Sequence, residues 1–261
     1  MVYPFIDGHP YTGTAGEISA AGDLLGRIHM ARVDTIRLRS YSWPTADADE
    51  ITSTCQELAT TFTTHAGQDA AECTAAVADL GRRFADALPS LRTAELPAAA
   101  VSSDFKANNL VYTSTGPVMV DPDNAGVEPR LLDLALAAPL FHNECPTGSP
   151  RLFTDPEWEV FRDSYLAQVI LTATERRLWP AALDHILWDE GTWALEDNDP
   201  ISWTEHHQRA FLIDLARKNP IRYLLPRSRP EPSRSLMILS AGARDVGTRR
   251  RPARLCTGDP H

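Results

Sequence analysis

The chain has 261 residues, 43% of them hydrophobic, enough for one large domain or two small ones with a sizeable core. No apolar run reaches the roughly 18 residues of a membrane span, and MVYPFIDGHP lacks the basic and apolar regions of a secretory leader. The reading is a cytoplasmic protein with no membrane partner.

Charge is divided along the chain. Up to Leu225 there are 17 basic against 32 acidic residues, whereas residues 226–261 carry 8 arginines and 3 acids. An acidic body repels nucleic acid and suits a cationic ligand. The proline-rich, arginine-rich tail has no helical period and is expected to be disordered. Cys55, Cys73, Cys145 and Cys256 are scattered without a C-x-x-C pair, so neither a disulfide framework nor a zinc site is indicated.

In chain order, MVYPFI is a candidate strand, and Gly16 to Arg32 has Ile18, Ala21, Leu24, Leu25 and Ile28 on one helical face. Asp49 to His65 and Gln68 to Leu88 repeat that period. AAAVS is a second candidate strand, and NLVYT with PVMVD forms a hairpin around STGP. Helices are expected over Pro129–Ala138, Pro156–Val169, Thr174–Leu187 and Trp203–Lys218, with Thr154, Asp155 and Ser202 as N-cap candidates. The fold class is α+β, mainly α.

The chemistry-bearing residues gather at the hairpin. Pairing Tyr112 with Val118 places Asn109 opposite Asp121, about 5 Å apart at Cα. These two either share one cation, for which magnesium suits an oxygen pair, or form a polar hairpin mouth facing water. Asp104 stands five residues before Asn109, and D-x-x-x-x-N, hairpin, Asp is the layout of a kinase catalytic loop with its metal-binding Asp. In that layout Asp104 accepts the proton of an attacking hydroxyl. Lys106, one of only two lysines beside 23 arginines, aims an ammonium at the transferring phosphoryl group.

SSDFKANNLVYTSTGPVMVDPDNAGVEPRLLDLA resembles the catalytic and metal-binding segment of the aminoglycoside phosphotransferase and choline kinase-like family, H-G-D-x-x-x-x-N, hairpin, I-D-x-x-x-x-G, D-L-A. VYPFIDGHP resembles the inter-lobe linker and LLGRIHMA the helix after it. The resemblance implies a protein-kinase-like large C-terminal lobe over residues 1–225, with residues 1–9 as linker and 102–133 as the catalytic and metal-binding segment. It assigns Asp104 as base, Asn109 and Asp121 as magnesium ligands, and Asp133 as a brace for the loop backbone, a position that equally suits a helix first-turn acid. Tyr3, Pro4 and Phe5 are implied to contact the nucleotide. The cofactors implied are ATP, or another nucleoside triphosphate, and Mg2+.

Residues 188–207, DEGTWALEDNDPISWTEHH with its preceding Trp188, are the expected acceptor region. Asp189, Glu190, Glu196 and Asp197 interleaved with Trp193 and Trp203 suit a cationic amino sugar through ion pairs and cation–π contact, although the composition is first that of a solvated acidic loop. The expected activity is phosphoryl transfer to the hydroxyl of an amino-sugar antibiotic or related metabolite. The alternative is a non-catalytic binding module or inactive remnant.

Two departures stand out. Ser102-Ser103 replaces the His-Gly of the motif, so a loop-bracing imidazole is expected to be missing. No lysine precedes position 106, so a strand lysine and glycine-rich lid find no counterpart. The expectation is a large lobe without its small N-terminal lobe, with negligible turnover on its own. GHPYTGT has Thr14 where a phosphate-binding loop has lysine, DPDNAGVEPRLL lacks two calcium-loop ligands, and His206-His207 splay on a helix, so these motifs are set aside.

Overall fold

The structure, a computed structural model, describes residues 5–32, 38–196, 200–217 and 223–226. The described residues up to Leu225 belong to one compact unit. The arginine-rich tail beyond Pro226, for which disorder was expected, lies outside the described residues.

Chain order is β1 (His9–Pro10), α1 (Ala15–His29), β2 (Arg39–Ser40), α2 (Ala48–His65), α3 (Ala70–Arg92) and β3 (Ala98–Val101). Then come β4 (Leu110–Thr113), β5 (Gly116–Met119), β6 (Gly126–Pro129), α4 (Arg130–Leu140), α5 (Asp155–Gln168) and α6 (Ala173–Ile186). A π-helical turn, Leu187–Gly191, leads into α7 (Thr192–Glu196), α8 (Pro200–Thr204) and α9 (His206–Arg217). The expected Trp203–Lys218 helix is thus divided at Glu205, and Ser202 lies inside α8 rather than at a cap. No strand forms at Phe5–Ile6; the N-terminal strand comes later, at His9.

Helix starts follow their caps. Thr14, Thr154 and Thr172 each close a capping box with a glutamate three residues on, satisfying N–H groups the first turn leaves free. Helix α1 buries Ile18, Ala21, Leu25 and His29 and packs along α5. The approach is close: a Cβ on Gly22 would sit 2.2 Å from the Phe161 carbonyl oxygen, and one on Gly26 2.7 Å from Gln168 Cβ. Only glycine lets two helix backbones meet so nearly.

Two small sheets cross this helical body. In one the order is β1-β4-β5, all antiparallel; in the other β6 lies between β2, parallel, and β3, antiparallel. The hairpin register corrects the sequence expectation by one residue. Leu110 pairs with Met119, Val111 with Val118 and Tyr112 with Pro117, because the turn closes on two residues, Ser114 and Thr115, with Gly116 at φ 118°. Asn109 therefore faces Val120, whose N–H donates to the Asn109 carbonyl at 2.8 Å, and Asp121 lies one position beyond.

Candidate active site

The loop between β3 and β4 is built around Asp133. This carboxylate, 1% exposed in the first turn of α4, accepts the Ser102 N–H at 3.0 Å and the Ser103 N–H at 2.9 Å. His29 Nε2 lies 3.0 Å from the same carboxylate, and its Nδ1 lies 2.9 Å from the Tyr165 hydroxyl. Asp133 therefore does more than complement the helix dipole; it satisfies two loop amides that would otherwise be buried without acceptors. The loop itself carries no imidazole; His29 reaches the Asp133 carboxylate from α1.

The two serines each take up a task. Ser102 Oγ accepts the Asp104 N–H at 3.3 Å, and Ser103 Oγ donates to Glu128 Oε1 at 2.8 Å. Ser103 has φ 55°, a left-handed conformation that glycine adopts without strain. That backbone shape is the physical reason a glycine serves at this position of the motif.

Asp104 is held next. Asn109 Nδ2 donates to Asp104 Oδ2 at 2.8 Å and to its carbonyl at 3.0 Å, fixing the carboxamide plane and leaving Asn109 Oδ1 as acceptor. Lys106 Nζ lies 3.2 Å from Asp104 Oδ1 and 2.6 Å from Glu144 Oε2. Burial depresses the Lys106 ammonium, but the Glu144 hydrogen bond and the Asp104 charge outweigh it and hold its pKa above the ordinary lysine value. Asn109 Oδ1 and the exposed Asp121 carboxylate, at φ 55°, are hard oxygen donors of the kind magnesium takes. Among the described residues no cluster of three or more His, Cys, Asp or Glu could hold a metal by itself.

Asp104 and Lys106 open into a cleft of about 580 Å³. Asp189, Glu190 and Trp193 line it from the π turn and α7, Glu128 and Gly126 from β6, and Arg39 with Tyr41 from β2 and its exit. Four carboxylates share this space. Burial, then Asp189, Asp104 and Glu128, push Glu190 up to about 7, and burial raises Asp189 and Glu128 as well. Burial and mutual repulsion thus both favour the protonated form of these carboxyls.

Not every expected residue reaches the cleft. Trp203 is 5% exposed, stacked on His65 and against Phe62, with its indole N–H donating to the Leu195 carbonyl; it belongs to the core. Glu196 also lies off the cleft lining. Phe5 is 93% exposed, while Tyr3, Pro4 and Asp197 lie outside the described residues. Residues 8–14 form no phosphate cradle: Thr12 and Thr14 both bind the α1 capping acid Glu17. The sequence reading missed Glu128, Arg39 and Tyr41, which carry no local signal and meet Asp104 only through tertiary structure.

A helical body, a loop bearing Asp104 and Asn109, a hairpin and a following Asp define the large lobe of a kinase-like fold. A family model described as "phosphotransferase enzyme family" matches residues 1–181, and the chain belongs to that family. Among solved structures, the AMP-bound spectinomycin phosphotransferase is similar at 15% identity and a TM-score of 0.50, over 82% of this chain and 70% of that one. Choline kinase from Cryptosporidium parvum Iowa II is similar at 16% identity and TM-score 0.45, over 85% and 70% of the two chains. Amicoumacin kinase, in complex with AMP-PNP, Ca2+ and Ami, gives 16% and 0.49 over 85% and 66%. A search of curated proteins finds no match.

Proposed function

We propose that this chain supplies the catalytic lobe for phosphoryl transfer from a nucleoside triphosphate, ATP in the simplest case, to a hydroxyl of a cationic small molecule such as an amino-sugar antibiotic. The observation that carries the reading is the shared cleft, in which Asp104 and Lys106 face Asp189, Glu190 and Trp193. Family membership supports the reaction class, and the AMP-bound spectinomycin phosphotransferase supports a nucleotide donor.

The residues divide the work. Asp189 and Glu190 pair with the acceptor's ammonium, and the half-open Trp193 ring offers a cation–π face. Asp104, oriented by Asn109, accepts the hydroxyl proton as the acceptor oxygen bonds to the terminal phosphorus; the bond to the bridging oxygen breaks and the nucleoside diphosphate leaves. Lys106 stabilises negative charge on the transferring group. Asn109 Oδ1 and Asp121 would hold magnesium, which supplies charge neutralisation on the phosphate oxygens when bound.

The test follows ADP release by the whole chain with Mg·ATP and a panel of cationic alcohols, from choline and ethanolamine to spectinomycin. Acceptor-dependent ADP formation that falls by about 10²-fold or more in Asp104→Asn supports the proposal. Acceptor binding at the cleft without ADP formation would make the chain a binding module instead.

A further inference from the structure

We propose that Glu144, which neither the motif nor the cleft lining singles out, is the positioning residue for Lys106. It shares the ammonium with Asp104, holding it at 2.6 Å against 3.2 Å, and so limits how tightly Lys106 closes on the base. The clause about the base rests on the phosphotransferase reading; the placement of Lys106 does not.

The geometry around Glu144 is unusual. It sits in the turn after α4 at φ 54°, a conformation that strains any residue except glycine, yet its side chain and both backbone groups are engaged. Its carboxylate takes Lys106 Nζ at 2.6 Å, its N–H donates to Gln208 Oε1 at 3.2 Å, and its carbonyl accepts from Asn108 Nδ2 at 3.3 Å. Gln208 on α9 is itself fixed by donating to Asn143 Oδ1 at 2.8 Å. The loop and the turn are also tied at the backbone, where the Ala107 N–H meets the Phe141 carbonyl at 2.7 Å.

Three carboxylates act on the Lys106 ammonium: Asp104 on its own loop, Glu144 on the α4 turn, and Glu190 on the π turn. Glu144 is the nearer of the two in direct contact, at 2.6 Å against 3.2 Å for Asp104 Oδ1. With Glu144 removed, the shortest remaining ion pair is with Asp104, and an ammonium closed on that carboxylate competes with an incoming hydroxyl. What sets this glutamate apart at a strained position is the ammonium its carboxylate holds.

The chain has two lysines, so 13C-labelled lysine gives two side-chain titrations, and Lys218→Arg assigns them. Glu144→Gln is expected to move the Lys106 midpoint downwards. Glu144→Gly removes the carboxylate while relaxing the backbone, so it is expected to lower the midpoint equally with a melting temperature at or above that of the parent. In an active preparation, Glu144→Gln lowers kcat about tenfold or more with acceptor KM within about threefold, and Glu144→Asp recovers part of the loss. A Lys106 midpoint unchanged in both Glu144→Gln and Glu144→Gly overturns the proposal. Turnover of the parent chain bears on the phosphotransferase reading alone, since the titration decides on Glu144 without it.

Discussion

Ser103, Asp121 and Glu144 are the non-glycine residues with positive φ among the described residues, and each adjoins the candidate site. Left-handed backbone costs an L-residue about 1–2 kcal/mol, and such strain tends to collect where function fixes geometry. Ser103 precedes the base, Asp121 is a candidate magnesium donor, and Glu144 holds Lys106. Against this strain stands Asp133, whose two oxygens satisfy two loop amides and meet His29. Asp133→Asn would present an amide N–H2 to a ring of donors, leaving at least one of them unpaired in the interior. We expect a loss of about 3 kcal/mol in folding stability, read from urea midpoints at unchanged slope; a loss below about 1 kcal/mol would show the brace to be dispensable.

At the scale of elements, the π turn Leu187–Gly191 decides what the cleft presents. It buries Leu187, Trp188 and Gly191 while Asp189, Glu190 and the following Trp193 line the cleft, and wide turns of this kind often occur at functional sites. Glu190 is thereby raised to about 7 from 4.5, chiefly by burial. Between those two values the folded chain keeps a proton that the unfolded chain has released, so this group's contribution to stability falls as pH rises through the window. Glu190→Gln should therefore raise the melting temperature more at pH 8 than at pH 5, while weakening binding of a cationic acceptor; equal gains at both pH values would contradict the assignment. The same elements show what sequence could and could not reveal. Asp104 and Asn109 were legible because they share one short loop, and the amphipathic helices because their period is local. The hairpin register slipped by one because STGP permits more than one closure. Trp203 and Trp193 look alike in composition, and only packing sends one to the core and the other to the cleft. Glu128, Tyr41 and Glu144 belong to the site through contacts tens of residues apart in sequence, which no local pattern encodes.

Elsewhere in the molecule two groups work in the opposite sense to Glu190 and lose stability in acid. His185 is fully buried, its ring close to Tyr41, Trp43 and Phe84, and burial lowers its pKa to about 4. Its unfolded value is near 6.5, so its contribution is complete above that and is lost as pH falls towards about 4, when the unfolded chain gains a proton the folded one refuses. Glu157 is offset by burial but held down to about 2 by the Arg151 hydrogen bond and the Thr154 cap, so it adds a second loss below about 4.5. The melting temperature of His185→Gln should therefore fall less between pH 6.5 and pH 4 than that of the parent chain; parallel curves would remove His185 from the account. One further consequence belongs to the motions of the lobe. Asp133 joins the catalytic loop to His29 on α1, and His29 to Tyr165 on α5, through contacts of 2.9 to 3.0 Å. Those two helices meet backbone to backbone at Gly22. The position of the loop that carries Asp104 is thus coupled to the seam between α1 and α5.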